Sequence, residues 1–376
     1  MSNGYEIAVY YFPNYHADER NERWHGAGWT EWELVKAAAP RFPGHKQPKV
    51  PLWGYGDEAD PRVMEQKIDA AADHGITSFI FDWYWYTDGP FLQRALEEGF
   101  LRARNNSRLK FALMWANHDW VDIHPAQRSR PANVLAPGKV TPAAFDRAVD
   151  HMIRLYFCHP SYLRVNGGLY FSIYELANLI RSFGSVEATR AALQRFRRKV
   201  REAGCGELHL NAVVWGLSLL PGERKIDGGN ELLEELQFDS VTSYVWIHHQ
   251  ELPDFPATDY ARYREANVRD FRRFTEAYKL PYFPNVTMGW DPSPRTIRTD
   301  RYDLLGYPFT PILTGNTPEE FEKSLRAVKA FLDLGLTKPA MFTINAWNEW
   351  TEGSYLEPDT EYGTGYLQAI RRVFGK

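Results

Sequence analysis

Two carboxylates three residues apart, Glu349 and Glu352, lie in the stretch "NAWNEWTEGSYLEPD" (345–359), among Trp347, Asn348, Trp350, Tyr355 and Glu357. Glycosyl cleavage commonly uses such a pair, one carboxyl protonated to help the leaving oxygen depart and the other ionised. In a turn leaving a strand, this spacing puts both groups on the same side and close together. Mutual repulsion then raises one pKa, and desolvation by Trp347 and Trp350 pushes the same way, giving one acid and one base at neutral pH. On a plain helix surface the same spacing would more simply cap the helix or bind an arginine.

Metal chemistry is the competing reading. The segment "NHDWVDIH" (117–124) holds His118, Asp119, Asp122 and His124, and His248 and His249 are adjacent. Neither group has a helical His-x-x-x-His spacing or a Cys/His pattern, so no metal and no cofactor is expected. The chain also lacks a Gly-rich phosphate loop, a G-x-S-x-G elbow and a dinucleotide fingerprint. With a net charge of −4 and a pI near 6.3, it offers no global basic field for nucleic acid or anionic membrane. Aromatic residues make up 15% of the 376, which suits a site that stacks on flat, partly apolar ligands.

Elements of one kind would position this chemistry. Eight apolar, β-branched or aromatic runs recur along the chain, at 6–12, 77–85, 109–116, 168–174, 207–215, 239–246, 281–288 and 340–347. Between them lie segments with helix starts at Asp60-Pro61, Thr141-Pro142, Ser185 and Thr317-Pro318, the last with a capping-box glutamate. Helix-to-strand connections are short, whereas strand-to-helix segments 13–59, 117–140, 247–258 and 289–316 are long. Eight such units predict a single (β/α)8 TIM barrel over 1–376 whose long loops gather at the C-terminal face, where a site forms.

Polar and aromatic residues ending the strands then converge on one mouth. They are Tyr11 and Tyr15; Asp82 and Trp83; Asn117 and His118; Glu175; Trp215; Tyr244; Asn285, Trp290 and Asp291; and Asn348 beside the glutamates. Tyr355 and Glu357 are expected to shape or brace the pocket. Sugars offer apolar faces for stacking and hydroxyls for hydrogen bonds to Asp, Asn and Glu, so an oligo- or polysaccharide is the expected partner.

Cys158 and Cys205 read as ordinary buried thiols, and "RFRRKV" (195–200) as a solvated helix face. The N-terminus lacks the basic segment, apolar stretch and cleavage site of a signal peptide, and no apolar run reaches spanning length. A soluble cytoplasmic protein without membrane insertion is the expectation.

"YYFPNYH" at the first strand, "GITSFIFDWYW" at the second and "WNEWTEGSYLEPD" at the eighth resemble the WbsX-like group, related to glycoside hydrolase family 99, the endo-α-mannosidase family. The resemblance implies a barrel that cleaves glycosidic bonds with retention of configuration and without metal. It implies Glu349 as a base on the sugar 2-hydroxyl, whose oxygen forms a 1,2-anhydro sugar, and Glu352 as the general acid/base. It places Tyr11, Tyr15, Trp83 and Tyr244 in the pocket walls. Thr351 stands where the hydrolases carry histidine, a departure that bears on the mannose subsites more than on the chemistry. The group's glycosyltransferase label, tied to surface polysaccharide synthesis, keeps a transferase open. Arginines in "SPRTIRTDR" (293–301) could then hold a donor diphosphate, or form a solvated loop. A non-catalytic carbohydrate-binding barrel is the third reading.

Overall fold

The structure, a computed structural model, describes residues 4–224 and 229–375. Its barrel strands are β1 (Tyr5–Tyr11), β2 (Ser78–Tyr86), β3 (Lys110–Trp115), β4 (Gly168–Ile173), β5 (Leu208–Val213), β6 (Ser240–Thr242), β7 (Tyr282–Phe283 and Asn285–Thr287) and β8 (Ala340–Asn345). Each pairs in parallel with its sequence neighbour, and β8 returns to pair with β1, closing the barrel. The seventh strand, expected to be continuous, is split at Pro284. Its first half pairs with β6 and its second with β8, because a proline has no N–H to continue a ladder.

The helices packed outside are α1 (Pro61–Asp73), α2 (Ala95–Phe100), α3 (Pro142–Met152), α4 (Val186–Glu202), α5 (Gly229–Glu235), α6 (Tyr260–Ala277), α7 (Pro318–Asp333) and α8 (Gly365–Phe374). Asp60, Thr141, Ser185 and Thr317 accept from backbone N–H groups in the first turns of α1, α3, α4 and α7, with prolines opening α1, α3 and α7. Glu320 does not complete the expected box; its carboxylate pairs with Arg264 and Lys323 instead. Arg195, Arg197 and Lys199 on α4 reach Asp146, Asp239 and Asp150, so the basic run on this face is cross-linked to its neighbours.

Strands buried on both faces read as continuous apolar runs, yet their side chains still alternate. Along β2, Asp82 and Tyr84 point into the mouth, whereas Trp83 packs outward against Tyr156, 6.5 Å between ring centroids. On β1, Tyr11 faces outward to Phe81 and to Lys67 of α1.

The cysteine expectation is corrected. Cys158, after α3 and exposed, is disulfide-bonded to Cys205, in the turn before β5, across a Cα–Cα distance of 5.0 Å. The connection turns before β4 and β5 bring the two together, a proximity that spacing along the chain does not reveal. Among the described residues no helix is long and apolar enough to cross a membrane.

Candidate active site

The turn after β8 carries the two glutamates on a tight hairpin. Asn348 pairs with Tyr355 and Glu349 with Ser354, and the chain reverses through residues 350–353. Gly353 allows the reversal: its φ is +63°, and a Cβ there would lie 2.7 Å from Cβ of Asp291. Asn348 clamps the hairpin to β1, accepting from Phe12 N at 2.8 Å and donating to Phe12 O at 2.7 Å. The indole N–H groups of Trp347 and Trp350 donate to the two oxygens of Glu357, at 2.9 and 2.6 Å. Lys67 Nζ balances that carboxylate at 2.7 Å. The tryptophan indoles therefore root the hairpin through Glu357.

Arg295 organises the carboxylates. Its Nε donates to Glu31 at 2.8 Å, its Nη2 lies 3.3 Å from Glu349, and its Nη1 contacts Glu352. Tyr307 donates to Glu352 at 2.6 Å. Tyr244 donates to Asp82 at 2.9 Å and lies 3.3 Å from Glu349. Among the described residues nothing pairs with the other Asp82 oxygen.

Burial raises the pKa of Glu349 well above the carboxylate range, and the charge of Glu352 adds to it. Burial also raises Glu352, opposed by Arg295 and by the Tyr307 hydrogen bond. Asp82 is pushed far up by burial. Burial acts to raise Glu31 too, but Arg295 and His124 outweigh it and hold this carboxyl below its ordinary value. A single guanidinium cannot neutralise three carboxylates, so the cluster keeps a proton, and the hydrogen bonds that Arg295 and Tyr307 give Glu352 favour its ionised form and leave that proton on Glu349.

The cleft above this cluster spans about 660 Å³ out to its open mouth. Of the residues expected from the sequence, Asp82, His118, Tyr244, Trp290, Glu349 and Glu352 line it. The remaining eleven are not among its lining residues, and each is engaged elsewhere: Glu175 accepts from Asn178, Trp215 packs on Tyr174 at 4.7 Å, and Asp291 accepts from Gln47. Trp83 and Tyr11 face the helices, as parity requires. Tyr15 stacks on Trp32 and accepts from Trp350 N, supporting the hairpin from behind. Asn117 bonds the backbone of Glu175, joining the loops after β3 and β4. Asn285 lies in the barrel interior against Thr343 and Thr287. Asn348 and Glu357 brace the hairpin, and Tyr355 stacks on Trp350 at 3.7 Å.

Sequence reasoning missed Glu31 and Tyr307, and read the Arg295 segment as donor-binding or solvated. Arg295 is buried and held by three carboxylates, whereas Arg298 and Arg301 are not buried. All three missed residues lie in the long loops after β1 and β7, whose existence was the signal. The histidine-rich segment does not gather ligands. His118 Nδ1 meets the Asp119 carbonyl at 2.9 Å, Asp119 accepts from Gly138 N, and His124 stacks on Trp120. Among the described residues no three His, Cys, Asp or Glu side chains are grouped as metal ligands would be.

This is a (β/α)8 barrel with its acidic cluster at the C-terminal mouth. The family profile described as "Glycosyltransferase WbsX" matches residues 7–370, and the chain belongs to that family. Two curated relatives from Xanthomonas campestris pv. campestris, each described as "Uncharacterized protein WxcX", are 32% identical over 374 residues. That match takes in 98% of this chain and 49% of the relative, so the chain spans about half their length. Among solved structures, the GH99 endo-alpha-mannosidase from Bacteroides thetaiotaomicron superposes with a TM-score of 0.55 at 15% identity, covering 100% of this chain and 97% of that one. A "Glycoside hydrolase-like protein" gives 0.62 at 15% identity, covering 99% and 94%. These likenesses establish the fold.

Proposed function

We propose that this protein is a retaining glycoside hydrolase acting on a bacterial surface or environmental glycan, with Glu349 and Glu352 as its reacting carboxyl pair. The observation that carries the reading is the placement of these two carboxyls, both raised by burial, in one cleft on a braced hairpin. Such a pair supplies both the acid and the base that glycosyl cleavage needs.

In the free site the proton rests on Glu349. The resemblance to family 99 gives the reverse order at the moment of reaction, with Glu349 as base and Glu352 as acid. One proton transferred from Glu349 to Glu352 relates the two states. Glu349 then takes the proton of the sugar 2-hydroxyl while that oxygen attacks the anomeric carbon. The glycosidic bond breaks, its oxygen receiving the Glu352 proton, and a 1,2-anhydro sugar forms. Water, deprotonated by Glu352, opens that ring at the anomeric carbon, and the 2-oxygen recovers its proton from Glu349. Arg295 holds the residual negative charge throughout.

The test is incubation of the wild type, Glu349→Gln and Glu352→Gln with bacterial surface polysaccharides and α-mannans, read by mass spectrometry, with NMR following the anomer. We expect the wild type to shorten a glycan with retained configuration and each variant to lose about 10²-fold or more in turnover. Normal turnover by either variant would remove the role given to that residue.

The family description favours a glycosyltransferase as the second reading. A nucleotide-sugar donor needs cationic or backbone N–H partners for its diphosphate, and the guanidinium lining the cleft is committed to carboxylates. Calorimetry with nucleotide sugars, with and without divalent ions, decides it: saturable binding supports the transferase.

A further inference from the structure

The ends of the eight strands divide the mouth into two unlike arcs. The carboxylate cluster stands on one side, with Asp82 on β2, Arg295 and Tyr307 after β7, and the glutamates after β8. Across from them, the ends of β3 to β6 contribute the aliphatic Met114, Ala116, Leu219, Leu220 and Val245, set among His118, Asp119, Tyr174, Tyr244 and His248. Aliphatic side chains cannot hydrogen-bond a hydroxyl, and sugar hydroxyls buried against them lose the partners they had in water.

The arc is also held in place. Glu223 accepts from Leu219 N at 2.7 Å and Leu220 N at 2.9 Å, and its other oxygen takes the Tyr174 hydroxyl at 2.6 Å. This fixes the two leucines over the end of β4, half-buried, with apolar surface still facing the cleft. It also uses the hydroxyl of Tyr174, so that residue presents its ring. Among the described residues lining this side, His248 Nδ1, Trp120 Nε1 and His124 Nδ1 are buried without a partner; His248 Nδ1 suits one ring hydroxyl.

We propose that the sugar whose anomeric carbon meets Glu349 and Glu352 is a 6-deoxyhexose, its C6 methyl seated against the arc of Met114, Ala116, Leu219, Leu220 and Val245. The inference rests on the glycosidase reading and names its substrate class. A hexose with the same stereochemistry would bury its 6-hydroxyl against carbon.

Simple monosaccharides suffice for the test. Methyl glycosides are titrated in pairs that differ only at C6, namely the α-L-rhamnoside with the α-L-mannoside, the α-L-fucoside with the α-L-galactoside, and the α-D-rhamnoside with the α-D-mannoside. Saturation-transfer NMR reports which protons touch the protein. We expect the 6-deoxy member of at least one pair to bind about ten- to a hundredfold more tightly, with its strongest transfer at the methyl. The Leu219→Asn/Leu220→Asn double variant should bring that ratio to about one, and Val245→Thr should lower it. Affinities equal within about twofold in every pair, a preference unchanged in the double variant, or no binding by any pair overturns the inference. Polysaccharide shortening by the wild type and not by Glu352→Gln, measured separately, decides whether the glycosidase reading stands when this one falls.

Discussion

Tyr244 stands between Asp82 and Glu349, and its hydroxyl has one proton for two carboxyls. A donated hydrogen bond favours the ionised form, so removing it raises the pKa of the carboxyl that must act as a base. In Tyr244→Phe we expect the acid limb of the pH–kcat/KM profile to move up by about one unit, with kcat reduced about tenfold at neutral pH. The basic limb should stay in place. An unchanged acid limb would show that the hydroxyl has no hold on the base. The residue scale also shows where sequence reading falters. Asp82 and Trp83 are neighbours of suitable chemistry, but a strand sends them to opposite sides, and only the barrel interior distinguishes them.

At the scale of elements, the hairpin after β8 is only as firm as its anchor. Glu357 is buried, accepts two indole N–H groups and neutralises Lys67. Glu357→Gln keeps the shape, but its amide nitrogen faces a donor and Lys67 loses its nearest counter-charge. We expect a stability loss of about 3 kcal/mol, seen as a lower urea midpoint with unchanged slope. Turnover should fall with it, while the affinity for a cleft ligand changes less. Equal stability would sink this account of the anchor. The cystine is a second fastening. In the chain-entropy picture a loop of this size is worth about 4 kcal/mol, for a sequence separation of 47 residues. The Cys158→Ser/Cys205→Ser variant should therefore melt at lower temperature than the oxidised protein, and the oxidised protein should show no thiol to Ellman's reagent. Disulfides persist in oxidising compartments, so a thiol titration of protein taken directly from its host also tests the cytoplasmic expectation.

Eight strands and the long loops were legible because parallel strands, buried on both faces, write their apolar character into consecutive residues. The hairpin motif was legible because its residues are neighbours in the chain. Arg295 and Glu31 were not, because 264 positions separate them and only the folded loops bring them together. The Cys158–Cys205 bond belongs to the same class, since it depends on what lies across from it.

For the whole molecule, buried ionisable groups set the pH dependence of stability. Burial, assisted by Glu223, raises Glu175 to about 8, and burial raises Asp82 and Glu349 as well. These groups keep protons in the native state that the unfolded chain releases near pH 4 to 5. Their contribution is complete below that range and is lost as pH rises through the folded values. Burial depresses His118, His124, His248 and His249, and also His209, which falls to about 4. Their contribution is complete above about pH 6.5 and is lost as pH falls. The two sets oppose each other below pH 6.5, whereas above it the carboxyls act alone. Unfolding free energies from urea titrations should therefore decline from about pH 6.5 to 8, by up to about 1.4 kcal/mol per pH unit for each titrating group, and the midpoints with them. Midpoints that rise over that interval would contradict the protonated carboxyls.

Arg295 ties together three stretches of chain: Glu31 in the loop after β1, its own loop after β7, and the hairpin after β8. Barrels of this class usually let one rim loop be exchanged for another while the rest stay as they are. Here the rim is knotted at a single cation, and a transplanted loop that brought Glu31 without Arg295, or Arg295 without Glu352, would strand a charge in the interior. Laboratory recombination among relatives should tolerate crossovers that inherit those three segments from one parent and reject those that divide them, whatever happens on the opposite, aliphatic side of the rim.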